Sequence, residues 1–167
     1  MNVTLIGMAG AGKSYIGKQV AQKMNLEFVD IDDVLEAQYG KSIQEILEEV
    51  GEQEYLEREA RALVGATEGR DNLLVSPGGS VIYRDDAMEH IRTISKVVYL
   101  KVPYEIIEER KKDAPPRAVI GLGLKTLREL YDERHPLYEK NTDLVLEIGE
   151  MSNDEVIDAI AEYVAQG

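Results

Sequence analysis

The residues Gly7-Met8-Ala9-Gly10-Ala11-Gly12-Lys13-Ser14 have the types and the spacing to hold a nucleotide phosphate. Their order is the G-x-x-x-x-G-K-[S/T] of a P-loop. Glycines at Gly7, Gly10 and Gly12 permit backbone angles that turn successive N–H groups, including that of Ala11, inward around an anion. A helix opening at Lys13, with Tyr15 in its first turn, adds unpaired N–H groups and the positive end of its dipole. Lys13 is placed to reach the outer phosphates, and the Ser14 hydroxyl to bind magnesium.

A second group of candidates follows a short apolar run, Leu26-Glu27-Phe28-Val29, that ends in Asp30-Ile31-Asp32-Asp33. Asp30 and Asp32 are two residues apart, and on extended backbone both would point to one side. One could orient water on magnesium and the other a substrate hydroxyl; the structural alternative is that they begin the next helix as N-cap acids. Phosphoryl transfer gains mainly from positioning and from positive charge on the moving group, so arginines matter. Arg117 stands in a proline- and glycine-rich stretch, 112–123, that reads as a flap able to close over the phosphates. Arg134 stands late in the helix after it.

The elements that must position these groups are legible from hydrophobic spacing. Apolar runs at 3–6, 26–29, 72–76, 95–100 and 144–148 read as five strands. Helical stretches are expected at about 13–24, 34–39, 43–64 with a break at Gly51, 85–91, 103–112, 125–139 and from 153 onward. Ser42-Ile43-Gln44-Glu45 and Ser152-Asn153-Asp154-Glu155 have the form of capping boxes. Pro136 is expected to bend or shorten its helix. Short strands alternating with helices predict an α/β fold, a five-stranded parallel sheet with helices on both faces. The carboxyl ends of the strands would then bring the P-loop, Asp30, Asp32 and Pro77-Gly78-Gly79 to one edge. Residues 1–167 read as one domain.

Composition narrows the partners. A net charge of −13 offers no basic face for a nucleic-acid backbone. There is no cysteine, and His90 and His135 lie far apart in sequence, suggesting no metal cluster. No apolar run approaches the roughly 20 residues that span a bilayer. A chain that is already strand at Asn2-Val3 leaves no room for a signal sequence, so a cytoplasmic location is expected. The partner is read as a small molecule, and the chain as a monomer.

The pattern resembles the shikimate kinases, small P-loop enzymes within the nucleoside-monophosphate-kinase fold. The resemblance runs nearly end to end. It rests on Gly7 to Ser14, Phe28-Val29-Asp30-Ile31-Asp32, Gly51-Glu52-Gln53-Glu54-Tyr55, Gly78-Gly79, Arg117 and Arg134-His135-Pro136-Leu137-Tyr138. It implies ATP and magnesium as cofactors, a P-loop kinase core, a lid at about 112–123 and an acceptor-binding helical region at about 31–64. By resemblance, Lys13 and Ser14 hold phosphate and magnesium, and Asp30 assists the metal through water. Asp32 engages the acceptor hydroxyl and serves as base. Gly78, with Gly79, offers backbone N–H, Arg110 lies near the adenine, Arg117 is the lid arginine, and Arg134 grips a carboxylate. The implied reaction is shikimate and ATP to shikimate 3-phosphate and ADP.

Three positions depart from the family pattern. Leu56 stands where a second carboxylate-gripping arginine belongs, and leucine cannot make that bidentate contact. Arg58 is two residues on, roughly 200° around a helix, and does not replace it without rearrangement. Pro77 replaces a glycine, removing an N–H, and Arg117-Ala118-Val119-Ile120 replaces R-P-L-L. A different polyol or hydroxy metabolite as acceptor, and a non-catalytic nucleotide-binding module, therefore stand as alternatives. A nucleoside-monophosphate kinase would need a base-recognising acceptor site, which these segments do not suggest.

Overall fold

The computed structural model describes residues 1–114 and 119–167. Its centre is strand β1 (Asn2–Ile6), in which every residue is buried. Successive strand residues face opposite sides, so unbroken burial means that both faces of the sheet are covered. β2 (Glu27–Asp30), β3 (Leu73–Ser76), β4 (Ser95–Lys101) and β5 (Leu144–Glu147) complete it. All pairs are parallel, in the order β2-β3-β1-β4-β5. Because β1 lies between β3 and β4, the loop leaving it emerges mid-edge. Register aligns the other ends with it: Asp30 pairs with Ser76, and Ile6 with Tyr99.

Seven α-helices connect the strands among the described residues: α1 (Lys13–Met24), α2 (Ile31–Tyr39), α3 (Ile43–Thr67), α4 (Asp85–Ile94), α5 (Tyr104–Asp113), α6 (Leu127–Lys140) and α7 (Asn153–Ala165). α1 lies directly on the sheet at Gly17, where a Cβ would stand 2.7 Å from the Phe28 ring and 2.9 Å from Leu74. The capping boxes at Ser42–Glu45 and Ser152–Glu155 are both formed. A third, Thr126 with Glu129, opens α6 and was not anticipated from the sequence.

Two boundaries differ from expectation. α2 begins at Ile31, since Asp30 caps it through the Asp32 N–H. α3 runs on past residue 64, with Gly51 (φ 77°, ψ 171°) as an internal break. α6 runs through Pro136 to Lys140, within a residue of its expected end at 139. No helix among the described residues is long and apolar enough to cross a membrane.

Candidate active site

The glycine loop after β1 takes left-handed angles at Gly10 (φ 86°) and Gly12 (φ 90°), which L-residues rarely adopt. Gly12 leads into α1 with no side-chain cap and no acid in the first turn. The positive end of that helix is therefore not neutralised locally, as an anion site requires. Lys13 is buried along the loop, and its Nζ donates to the carbonyls of Gly7 at 2.8 Å and Met8 at 2.9 Å.

Ser14 Oγ donates to Asp30 Oδ2 at 2.7 Å, and Asp30 Oδ1 accepts from the Asp32 N–H at 3.0 Å. Asp30 is thus both helix cap and partner of the P-loop serine. The extended geometry expected for Asp30 and Asp32 is not what unites them. Asp32 lies in the first turn of α2, yet both carboxylates line the same cleft because the helix starts immediately at the sheet edge. The Ser14 hydroxyl and Asp30 carboxylate are hard oxygen donors, the kind magnesium takes, and a loop with these backbone angles suits triphosphate oxygens.

A cleft of about 670 Å³ runs along this edge. Beside the P-loop it is lined by Gly10 to Ser14, Tyr15, Arg110, Ile148 and Asn153. Arg110 reaches from α5 so that its Nη1 donates to the Gly10 carbonyl at 2.8 Å, bringing a cation against the loop. Tyr15 presents a largely exposed ring.

The remaining lining includes Asp32, Tyr55, Pro77, Gly78, Gly79, Ser80 and Arg134. Arg134 is only 1% exposed. Its Nη2 donates to the Ile120 carbonyl at 2.8 Å and its Nε to Tyr83 Oη at 3.2 Å. The guanidinium also lies 5.1 Å from the Tyr83 ring, while Nη1 is turned toward Gly79, where a Cβ would stand 3.2 Å away. Tyr138, one turn after Arg134, donates from Oη to the Gly79 carbonyl at 2.5 Å and stacks on Tyr99 at 5.0 Å. These contacts fix the arginine and the glycine segment as one wall.

Glu59 supports that wall from behind. It is 1% exposed, and Oε1 accepts from Ser80 Oγ at 3.1 Å. Oε2 is the sole buried side-chain polar atom without a hydrogen-bond partner among the described residues. It sits so close to Gly78 that a Cβ there would collide with it. Burial, then the Asp32 charge, pushes the Glu59 carboxyl up to about 7 against the opposing pull of Ser80, Arg134 and Lys13. Burial likewise pushes the Tyr55 phenol up.

Leu56 is half-buried against the core and is not part of the cleft lining. Arg58 does not enter its place. Its guanidinium lies 4.4 Å from the Tyr39 ring, and its Nε donates to Glu54 at 3.2 Å. Arg117, with Ala118 and the two preceding prolines, lies outside the described residues. The segment after them reaches the cleft through Val119 and Ile120, and the Gly121 N–H donates to Glu52 Oε1 at 2.7 Å.

Sequence reasoning brought together the P-loop, Asp30, Asp32, Gly78, Gly79, Arg110 and Arg134, and missed Glu59, Ser80, Tyr83, Tyr138, Ile148 and Asn153. For Glu59 a signal existed: it falls four residues after Tyr55 and four before Leu63, on the apolar stripe of a helix. A carboxylate there is either paired or functional.

The family model for shikimate kinase matches residues 9–165. The shikimate kinase of Francisella tularensis subsp. novicida is 32% identical over 167 residues, covering 99% of this chain and 95% of that protein. That of Dictyoglomus turgidum is 32% identical over 164 residues, covering 96% and 95%. Among solved structures, shikimate kinase from Acinetobacter baumannii in complex with shikimate superposes with a TM-score of 0.86 at 30% identity, covering 99% of this chain and 93% of that one. With a P-loop at the sheet edge, a family model that spans nearly the whole chain and relatives covered end to end, the chain belongs to the shikimate kinase family of kinases.

Proposed function

We propose that this chain transfers the γ-phosphoryl group of ATP to a hydroxyl of shikimate, giving shikimate 3-phosphate and ADP. The observation that carries the reading is one cleft that joins an uncapped P-loop helix to Asp32 and the Gly78–Gly79–Arg134 wall. The relatives' names and the Acinetobacter complex support the choice of acceptor.

The loop N–H groups and the start of α1 hold the phosphates, with Arg110 flanking the nucleotide. Ser14 and, through water, Asp30 would hold magnesium, which when bound neutralises charge on the phosphate oxygens. Asp32 orients the acceptor hydroxyl and takes its proton as the oxygen attacks the γ-phosphorus and the bond to ADP breaks. Lys13, joined by Arg117 from the lid, offsets charge developing on the transferred group. Gly78 offers its N–H and Arg134 its guanidinium to the acceptor, the latter to a carboxylate. The reading has the chain act as a cytoplasmic monomer without nucleic acid.

Steady-state ADP release with shikimate, set against other hydroxylated metabolites, tests this. Shikimate is expected to give the highest kcat/KM. Turnover of another polyol with none of shikimate would replace the acceptor, and tight ATP binding without transfer to any acceptor would replace the enzyme by a binding module.

A further inference from the structure

The acceptor wall contains a carboxyl that the mechanism above does not use. Glu59 is fully enclosed, has one oxygen satisfied by Ser80 and one by nothing, and has no cation on its own helix to answer it. The position one turn before it, where an arginine would meet it at i,i+3 spacing, is Leu56. Arg58 is committed outside the cleft to Glu54 and Tyr39.

We propose that Glu59 is the specificity-determining residue of the acceptor end, its carboxyl keeping a proton in the binding-competent site so that an anionic acceptor is held by Arg134 with no cation at position 56. The inference rests on the reading of the acceptor as a carboxylate-bearing polyol. The charge balance is explicit. Glu59 faces Asp32 from α2, Arg134 and the Tyr138 phenol from α6, Lys13 from α1 and the Tyr55 phenol on its own helix. Lys13 and Arg134 both favour the charged form of Glu59, but burial and the Asp32 charge outweigh them. An ionised Glu59 would add a second negative charge beside Asp32, and the acceptor's own carboxylate would enter against both. A neutral Glu59 removes that repulsion, still accepts from Ser80 through Oε1, and needs no second partner of full charge at Oε2. Its acidity, pushed up to about 7, places the change within the working range. Glu59 acts here through the Gly78–Ser80 wall and through charge, as a positioning residue.

The test is the pH profile of shikimate KM, measured for the wild-type chain, Glu59→Gln and Leu56→Arg. Above pH about 7 the wild-type KM should rise by about tenfold per pH unit, as ionisation of one required acid dictates. Glu59→Gln should lose that rise. Leu56→Arg supplies the missing cation, so its KM should be lower than wild type at pH 8 and no longer climb. A wild-type profile that is flat, or a Glu59→Gln profile parallel to it, overturns the inference. Infrared difference spectra make the decision independent of the acceptor and of how well Glu59→Gln folds. At pH 6.5 the wild-type protein should show the carbonyl stretch of a protonated carboxyl that fades as pH rises past about 7 and is missing from Leu56→Arg. Absence of that band in the wild type overturns the inference. If shikimate is not turned over at any pH while the band is present, the acceptor assignment fails and the neutral Glu59 stands.

Discussion

Gly78→Ala probes the contact on which the acceptor wall depends. The backbone at Gly78 (φ −63°, ψ 158°) is one that any residue adopts, so the substitution introduces no backbone strain. The added methyl, however, would collide with Glu59 Oε2 and stand 3.6 Å from Asp32 Oδ1. Glu59 is enclosed and cannot swing into water, so yielding means giving up its 3.1 Å bond to Ser80. Overpacking of this kind costs about 1–3 kcal/mol, and a buried polar group deprived of its partner about 1–3 kcal/mol more. The two effects share one displacement, so a total near 3 kcal/mol is expected. Urea unfolding followed by circular dichroism should show a lower midpoint at unchanged m-value. The double variant Gly78→Ala with Glu59→Ala, which removes the colliding carboxyl, should be non-additive by about 1–3 kcal/mol in the favourable direction. A Gly78→Ala protein within about 0.5 kcal/mol of wild type, or strictly additive effects in the double variant, would refute the geometry.

Lys13→Ala should keep the fold by circular dichroism, with only its loop contacts to the Gly7 and Met8 carbonyls lost from the folded state, while kcat falls at least about a hundredfold as a charge-stabilising donor is lost from the transferred group; an unfolded variant would make Lys13 structural instead. Leu56→Arg should lower the shikimate KM by about tenfold or more, the worth of one charge-assisted contact; an unchanged KM would mean that the carboxylate is held elsewhere. Glu59 also predicts a stability slope. Its folded-state acidity is raised from 4.5 to about 7, so the folded chain holds a proton over a window in which the unfolded chain has lost it. Stability should fall by about 3 kcal/mol as pH rises from about 4.5 to about 7 and stay level above. Denaturation midpoints of Glu59→Gln should lack that component, and identical slopes in the two proteins would contradict the assignment.

The strands and the P-loop were legible because their signals are local: short apolar runs, glycine spacing and a lysine at a fixed offset. Asp30 and Asp32 were rightly placed at the same edge, but for a reason that spacing does not convey. Their convergence comes from a helix that starts with Asp30 as its cap, not from an extended strand. The Thr126–Glu129 box has an equally local pattern, but it lies just after the proline- and glycine-rich stretch, where a helix start is hard to place from spacing alone. What sequence hid was long-range: Glu59 meets Ser80 across 21 positions, and Arg134 meets Tyr83 across 51. Those pairings exist only once α3, α6 and the segment after β3 pack together, and no spacing rule encodes them.

The most direct measurement is ³¹P NMR of the protein with ATP, magnesium and shikimate at pH 6.5, followed to completion. The predicted outcome is a new phosphomonoester resonance growing in step with ADP and dependent on shikimate. Loss of ATP to inorganic phosphate alone, or a phosphomonoester formed only when another polyol replaces shikimate, would contradict the assignment.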